Sequence, residues 1–347
     1  MFLIIRMLLI FLLTAFLASA LTPLGPITKA GKTYYVSTQG LDSNVGSLKR
    51  PFRTVSKGLS ILQPGDVLYL RGGTYLEDVM PTLNPGNPWA RIRVKTFAGE
   101  RAVIKGLVRL IKADYWTFDG FNVTWNTGTY KDHMLKFVGG RGWILENSEI
   151  WGARSFANIL VCCSPSDWVI RKNVIHDTEG GEENIFRSHN MYINTNLDAG
   201  PGIIEHNLVF NAPRGCNIKV AGPNRGPELG SANVLVRHNT LYSAVQPLLI
   251  GDGSRNTLVE RNIIGNGIRP DGETYLLRIY KLTGTNNVVR NNLGFGADKW
   301  CLDHKGGNFS CATIDGGGNI FPVDPKFDFI GLGGFNPRLS LAQAYGR

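Results

Sequence analysis

A short pattern of apolar and polar positions recurs seven times between about residues 116 and 296. Its copies read WTFDGFNVTW, WILENSEIWG, WVIRKNVIHD, GIIEHNLVFN, VLVRHNTLYS, TLVERNIIGN and NVVRNNLGFG. One position aligns in all of them: Phe121, Ser148, Asn173, Asn207, Asn239, Asn262 and Asn292. The successive spacings are 27, 25, 34, 32, 23 and 30 residues. Coils of constant girth joined by loops of variable length produce such a scatter, so the chain is predicted to be a solenoid.

The columns around the aligned position have a fixed chemistry. Three residues before it every copy is apolar: Phe118, Leu145, Ile170, Ile204, Val236, Val259 and Val289. Two residues before it every copy is charged: Asp119, Glu146, Arg171, Glu205, Arg237, Glu260 and Arg290. Adjacent residues of a strand face opposite ways, so the apolar column is predicted to stack inward and the charged column outward. Rungs lie roughly 4.8 Å apart, and the mostly alternating signs predict an outer wall of ion pairs.

A second strand precedes most of these segments, with copies HMLKFVG, FANILVC, HNMYINT, CNIKVAG, QPLLIGD and YLLRIYK. Alternate residues are apolar and are predicted to point inward: Leu135 and Phe137, Ile159 and Val161, Met191 and Ile193, Ile218 and Val220, Leu248 and Ile250, Leu277 and Ile279. We therefore expect an all-β, right-handed parallel β-helix with coils over residues 81–297. Residues 33–80 are expected to cap it, with a helix over 54–62, and residues 298–347 to form a loop and tail packed on it.

The N-terminal residues predict export. Arg6 precedes the apolar run from Met7 to Ala18, and Ala18-Ser19-Ala20 supplies small residues for cleavage. The run is short for a membrane span, so residues 1–20 are interpreted as a signal peptide of a secreted protein. In a eukaryotic host, the sequons at Asn122 and Asn308 make glycosylation a further possibility.

Charge indicates the class of partner. The formal net charge is +10, with a pI near 9.4. In an exported protein this balance favours an acidic polysaccharide over nucleic acid, although many basic secreted proteins share it. We expect a monomer that binds no nucleic acid and no membrane. No cofactor is required by the sequence, and Ca²⁺ is the one ion considered.

The cysteines fit the same compartment. Export permits disulfides, and Cys301 with Cys311 is one pair that could close a small loop near the C-terminus, while the pairing of the five cysteines is left open. The other three are Cys162, Cys163 and Cys216, and no CxxC pair indicates a zinc site.

The cap sequence and the coil repeats together resemble the pectate-lyase-like superfamily, notably family-nine pectate lyases and the chondroitinase B and alginate lyase family. The cap reads TYYVSTQGLDSNVGSLKRPFRTVSKGLSILQPGDVLYLRGGTYLEDV. The asparagine column resembles the ladder along one turn of pectate-lyase β-helices, and the tail GGNIFPVDPKFDF resembles the C-terminal tails of these proteins. The resemblance implies a groove for an extended glycan on the outside of one sheet.

The outward positions of the second strand locate a candidate binding surface. One column is Lys136, Leu160, Tyr192, Lys219, Leu249 and Arg278, and the column two residues earlier is Met134, Asn158, Asn190, Asn217, Pro247 and Leu276. Polar residues concentrate in the middle coils, which is typical of a sugar-binding floor rather than a uniformly solvated wall. The predicted substrate-binding residues are Asn158, Asn190, Asn194, Asn217 and Arg278.

Tyr192 and Lys219 are predicted to lie side by side on consecutive coils. β-Elimination from a uronan requires a cation on the carboxylate, a base for the C5 proton and an acid for the leaving O4. Lys219 is the predicted base, Tyr192 the acid, and Arg214 or Arg278 the carboxylate partner. Nearby cations such as Arg214 or Arg187 would lower the pKa of Lys219 toward neutrality. In a purely structural interpretation, both side chains merely cover an exposed strand.

Two further features are candidates beside this pair. His189 opens the same strand and is an alternative base. The loop 177–183, DTEGGEE, carries four carboxylates, which suit Ca²⁺ or simply form a solvated acidic loop.

Family motifs match the chain only in part. Lys219 falls where the chondroitinase B and alginate lyase family carries a catalytic lysine. That family's arginine one coil later is replaced here by Leu249, and its glutamate calcium ligands by the run 212–215, APRG. Calcium-assisted chemistry of that type is therefore not implied.

Hydrolase and epimerase motifs are also incomplete. The polygalacturonase motifs G-H-G and R-I-K align with residues 188–190, SHN, and 217–219, NIK, but the required Asp pair is replaced by Ala157-Asn158. The D-P-H-D motif of alginate C5-epimerases reads RSHN over residues 187–190. A secreted polysaccharide lyase is the leading hypothesis, and a non-catalytic glycan-binding or structural β-helix is the alternative.

Overall fold

Strands that recur once per coil form two parallel sheets, and the larger sheet bends to cover two faces of the coil, which are called here the second and third sheets. The computed structural model describes residues 31–125, 132–180, 186–223, 229–269, 272–304, 306–327, 338 and 340–346. The predicted signal peptide, residues 1–20, lies outside the described residues. The described part contains no helix that is both long and apolar enough to cross a membrane.

The first sheet contains the strands that carry the charged column. In spatial order they are β1 (Thr33–Val36), β2 (Val67–Leu70), β4 (Ile92–Thr96), β7 (Trp116–Asp119), β10 (Ile144–Glu146), β13 (Trp168–Arg171), β16 (Gly202–Glu205), β18 (Val234–Arg237), β20 (Leu258–Glu260) and β23 (Val288–Arg290).

The second and third sheets share two long strands that bend from one face to the next. These are β17 (Leu208–Val220) and β19 (Thr240–Gly251), and the β17–β19 register shifts between Ala212 and Cys216. The other strands of the second sheet are β3 (Gly73–Tyr75), β5 (Ala102–Lys105), β8 (Asn122–Thr124), β11 (Glu149–Trp151), β14 (Val174–His176), β21 (Ile263–Gly267) and β24 (Leu293–Phe295). The other strands of the third sheet are β6 (Val108–Ile111), β9 (Leu135–Val138), β12 (Ala157–Cys162), β15 (His189–Asn194), β22 (Tyr275–Tyr280) and β25 (Lys299–His304).

The core fills the bore between the three sheets. The predicted inward column of the first sheet, from Phe118 to Val289, is at most 1% exposed, and so are all the predicted inward pairs of the third sheet. At Gly294 the apolar column of the second sheet lacks a side chain. A Cβ there would lie 2.6 Å from the Trp300 ring, so a neighbouring side chain fills the gap. The fold is a right-handed parallel β-helix, as predicted.

The charged column forms the expected wall on the outer face of the first sheet. Ion pairs join neighbouring coils at Arg171–Glu146 (2.7 Å), Arg237–Glu205 (2.8 Å) and Arg290–Glu260 (2.8 Å). The arginine side chains are 38–45% exposed to water and the glutamates 13–17%, so solvent screens each pair and it adds little stability. The pairs match the charges of adjacent rungs.

The asparagine column forms a buried ladder at the turn between the first and second sheets. Asn207 is typical: its Nδ2 donates to Ile170 O (2.9 Å) and Asn239 Oδ1 (2.9 Å), while its Oδ1 accepts from Asn173 N (3.0 Å). Asn319, which the repeat alignment does not include, extends the ladder beyond Asn292. Every rung saturates backbone groups that the turn would otherwise leave unpaired in the core.

The N-terminal cap contains the helix α1 (Val55–Ile61), close to the predicted range. The Thr54 side chain accepts from Lys57 N (3.1 Å), and Glu77 accepts from Val55 N (2.6 Å), so the first turn is capped twice. Gly58 lets the helix approach β1 and β2 closely, since a Cβ there would lie 2.6 Å from Val36.

The C-terminal end differs from the expected boundary at residue 297. Strand β25 pairs in parallel with β22, so the third sheet continues through His304. Cys301 and Cys311 form a disulfide, which is the pairing that the sequence suggested but left open. A 3-10 helix (Ser340–Ala344) follows, and Ala342 packs against Ile263 and Leu293.

Candidate functional site

The outer face of the third sheet carries the candidate site. Its central column follows the predicted register, with Tyr192 opposite Lys219, and includes Lys136, Leu160, Tyr192, Lys219, Leu249 and Arg278. The predicted in–out phasing is therefore correct for this column. The column is far less open than expected, however, because Lys219 is only 8% exposed.

Lys219 and Tyr192 form a close pair. Lys219 Nζ lies 4.5 Å from the centroid of the Tyr192 ring, and Tyr192 Oη donates to Gly222 O (2.6 Å). Burial lowers the pKa of Lys219 and Arg187 adds to that effect, although Cys216 and Asp252 oppose it. Burial also raises the pKa of Tyr192. The lysine therefore gives up its proton more easily than an exposed lysine, while the phenol keeps its own.

His189 lies behind this pair as a neutral imidazole. Its Nδ1 accepts from Cys216 N (3.1 Å), which places the ring proton on Nε2. Burial lowers the pKa of His189 well below its ordinary value, and the charges of Lys219 and His133 act in the same direction. The ring centroid lies 5.6 Å from that of Tyr192. His189 thus forms a cluster with Lys219 and Tyr192, and its Nδ1 already accepts a hydrogen bond from the backbone.

His133 also belongs to the cluster and was missed by the sequence analysis. Its ring lies 5.9 Å from Tyr192 and 5.2 Å from Phe156. Burial, followed by the charge of Lys136, lowers the pKa of His133 to about 4. Its Nδ1 is buried and has no hydrogen-bond partner among the described atoms. The signal was present in the repeat, since the strand copies HMLKFVG and HNMYINT both begin with histidine.

A cavity of about 270 Å³ opens beside Lys219. It is lined by Phe186, Lys219, Gln246, Leu249, Arg269, Arg278, Tyr280 and His304. Three of these residues are lysine or arginine, and none of the described lining residues is an aspartate or glutamate. Such a cavity attracts an anionic group and lacks the carboxylate pair that glycoside hydrolysis requires.

The two candidate arginines differ in position. Arg278 lines the cavity: its guanidinium lies 5.3 Å from the Tyr280 ring centroid, and Nη1 donates to Tyr275 Oη (3.2 Å). Its Nε is buried without a hydrogen-bond partner among the described atoms. Arg214 instead lies in the irregular part of β17 and does not line the cavity with Lys219. The structure therefore groups Arg278, and not Arg214, with the lysine.

Three of the predicted substrate-binding asparagines are inside the protein. Asn158, Asn190 and Asn217 are 0% exposed. Asn158 Nδ2 donates to Asn190 Oδ1 (2.8 Å), and Asn190 Nδ2 donates to Asn217 Oδ1 (2.9 Å). Their predicted outward orientation is wrong, because they form a second ladder that satisfies carbonyls at the bend between the second and third sheets. Asn194 is half-buried at the end of β15.

The acidic loop 177–183 is described only in part. Asp177 accepts from Asn211 and contacts His176, and Glu179 pairs with Arg154 at 3.1 Å. Glu182 and Glu183 lie outside the described residues. Among the residues that the structure describes, no three His, Cys, Asp or Glu side chains are grouped to hold a metal ion. Calcium binding at this loop stays a prediction.

The first sequon is not accessible in the fold. Asn122 is 9% exposed, and its Nδ2 donates to Ala102 O (2.9 Å). A glycan on Asn122 would require this strand to open, whereas Asn308 is exposed.

Comparisons with known proteins support the fold. No protein-family model matches the chain, and no curated protein matches it in sequence. Among solved structures, XylC in complex with xylose has a TM-score of 0.55 and 12% identity, over 78% of this chain and 70% of XylC. This likeness is one of fold, the parallel β-helix described above.

Two further structures share this fold. Pectate lyase Pel9A has a TM-score of 0.50 and 16% identity, over 78% of this chain and 64% of the lyase. A protein described as a glycoside hydrolase has a TM-score of 0.58 and 9% identity, over 84% of this chain and 96% of its own. Both lytic and hydrolytic proteins thus share the architecture, and the activity has to be argued from the site.

Proposed function

We propose that this protein is an exported polysaccharide lyase that cleaves a uronate-containing polymer along the third sheet by β-elimination. The observation that carries the proposal is the contact between the buried Lys219, which lines a cavity together with Arg269 and Arg278, and the half-buried Tyr192 on the adjacent coil. A hydrolase is disfavoured because no carboxylate lines the described part of that cavity.

The proposed reaction assigns one step to each group. The Arg278 guanidinium binds the uronate carboxylate, which acidifies the C5 proton. Neutral Lys219 Nζ takes that proton, and the C5–H electron pair forms the C4=C5 double bond. The C4–O4 bond breaks, and O4 takes the proton of Tyr192 Oη. Base and acid come from adjacent coils, so both proton transfers occur on the same side of the sugar ring.

The protonation states support these roles. A base must be able to become neutral, and the lowered pKa of Lys219 meets that requirement. An acid must hold its proton, and the raised pKa of Tyr192 does so. The Tyr192 hydroxyl has to leave Gly222 O in order to reach O4, which makes this hydrogen bond the resting position of the acid.

A non-catalytic glycan-binding protein is the second candidate. This function is favoured because two polar atoms of the site already form hydrogen bonds with the backbone: Tyr192 Oη and His189 Nδ1. In that function the cavity binds the anionic sugar and no bond is broken.

One experiment separates these functions. The protein is incubated with polygalacturonate, alginate or chondroitin sulfate, with and without Ca²⁺, and the ultraviolet absorbance of the unsaturated product is followed. We expect absorbance to grow on one of these polymers and to be abolished by Lys219→Ala. Lys95→Ala, on the outer face of the first sheet, is the matched control and should react like the wild type. Binding to a polymer without unsaturated product would instead favour the non-catalytic function.

A further inference from the structure

The outer face of the second sheet carries a column of stacked rings that stops abruptly. Trp151, His176 and Phe210 occupy consecutive rungs in register. Their rings are nearly parallel, with centroid distances of 6.1 Å for Trp151–His176 and 4.9 Å for His176–Phe210. On the preceding coil the position in register with Trp151 is Thr124, and before that Lys105. Along this column the large indole of Trp151 is therefore followed by the short side chain of Thr124.

This step creates a second depression, separate from the candidate site on the third sheet. Its volume is about 460 Å³. Its lining includes the short side chains Thr74, Val103 and Thr124 and the large aromatic residues Trp125 and Trp151. Aromatic rings beside short side chains leave room for a flat sugar ring.

The charged residues that line the depression indicate which kind of sugar it would bind. Arg101, Lys105 and Arg154 line the depression, against the single described carboxylate of Glu179. Arg154 pairs with Glu179 at 3.1 Å, and Arg101 pairs with Glu149 at 2.5 Å while lying 5.4 Å from the Trp151 ring centroid. Lys105 makes no ion pair within the described part of the chain. The lining of the depression thus combines aromatic rings with one cation, Lys105, that has no ion-pair partner among the described residues.

We propose that this depression is a second glycan-binding site, which takes an acidic sugar residue of a polysaccharide chain. The apolar face of the sugar packs on Trp151, and its carboxylate or sulfate binds Lys105, with Arg101 beside it. The site has no need of the chemistry at Lys219. It increases the affinity for a long chain because a second contact acts at a high effective concentration once the first has formed.

Affinity electrophoresis tests the site without interference from cleavage. The Lys219→Ala protein is run through gels containing polygalacturonate, alginate, chondroitin sulfate or neutral xylan. Trp151→Ala and Lys105→Glu are each added to it. Trp89→Ala and Lys49→Glu are the matched controls, because both residues are exposed in the N-terminal region and lie outside the depression.

The expected result is specific to the acidic polymers. Trp151→Ala and Lys105→Glu should each weaken retention by about tenfold, the loss typical of an interface anchor, while the two controls stay within about twofold of the parent. Thermal unfolding followed by circular dichroism checks that Trp151→Ala is folded. Lys105→Glu changes a half-buried surface residue and leaves the core intact.

Three outcomes would overturn the proposal. They are unchanged retention in both variants, a Trp151-dependent retention on neutral xylan, and no retention of the parent on any acidic polymer. The assay of unsaturated product depends on the third sheet. Loss of the lyase proposal would thus leave this one standing, and the reverse also holds.

Discussion

Lys219 Nζ lies 4.5 Å from the centre of the Tyr192 ring on the preceding coil of the third sheet. The contact places a cation on the aromatic face and brings the amine and the phenol, the proposed base and acid, onto adjacent rungs. The same stacking fixes their spacing, because neighbouring strands of the sheet are held by backbone hydrogen bonds.

Tyr192→Phe separates the hydroxyl from the ring. The ring contact with Lys219 remains, and the loss of the bond to Gly222 O costs about 1 kcal/mol of stability. If the hydroxyl protonates O4, turnover should fall by about a hundredfold or more, with little change in KM. Turnover on the uronan that the wild type cleaves is the measurement. Undiminished turnover by the phenylalanine variant would assign the acid role elsewhere.

The pH profile should follow Lys219. Its pKa is lowered from 10.5 by burial and by Arg187, with Cys216 and Asp252 opposing, and the base must be neutral. The rate should therefore rise with pH and level off at a pH below 10.5. Lys219→Arg, which stays charged, should be inactive throughout.

The two neighbouring histidines, His133 and His189, would give a different pH profile if one of them were the base. The pKa of His133 is lowered to about 4 and that of His189 also lies below 6.5, so both are neutral across the range in which the rate rises. A rise in rate near pH 6 that disappears in His189→Asn would show that the histidine, and not the lysine, is the base.

His176 should make the stability of the protein depend on pH. Its Nδ1 lies 2.8 Å from Asp177 and its Nε2 lies 3.1 Å from Glu149. Burial opposes the charged ring, but these two bonds outweigh it and raise the pKa of His176 above 6.5. This contribution is fully present below pH 6.5 and is lost as the pH rises through the raised value.

The carboxylates of Glu149 and Asp177 determine the lower limit of the pH range in which their bonds to His176 stabilise the protein. The pKa of Glu149 is lowered from 4.5, chiefly by its bond to His176, and that of Asp177 from 3.8 for the same reason. Their contribution is present above these values and is lost as the pH falls through the lowered ones. The difference in thermal midpoint between wild type and His176→Gln should thus be largest between pH 4.5 and 6.5 and shrink at higher pH. A difference that is independent of pH would contradict this assignment.

Asn190 and Asn194 lie four residues apart on β15 and should respond differently to substitution. Asn190→Leu leaves Phe210 O, Asn217 Oδ1 and Asn158 Nδ2 without their present partner in the core. We expect a loss of about 3 kcal/mol in the free energy of unfolding. Asn194→Ala, at a half-buried position, should change it by about 0.5 kcal/mol or less. Chemical denaturation measures both, and equal effects would contradict the second ladder.

The repeat columns alone predicted the solenoid, the inward residues and the ion-paired wall. Local chemistry suffices there, because a column such as Glu146, Arg171 and Glu205 is repeated at each coil, and a one-residue slip in any strand would expose its apolar residues. The same phasing correctly placed Lys219 beside Tyr192.

The tertiary structure decided what that surface contains. Strands β17 and β19 bend continuously from the second sheet into the third, so residues at the bend, such as Asn217, turn into the core although strict alternation places them outside. His133, from another coil, joins the site through the Tyr192 ring. The sequence by itself determined the coil and its phase, because these depend on nearest-neighbour rungs. The burial of the site residues, their pKa values and the cavity beside Lys219 depend on how other parts of the chain cover the third sheet. Only the folded chain determines that arrangement.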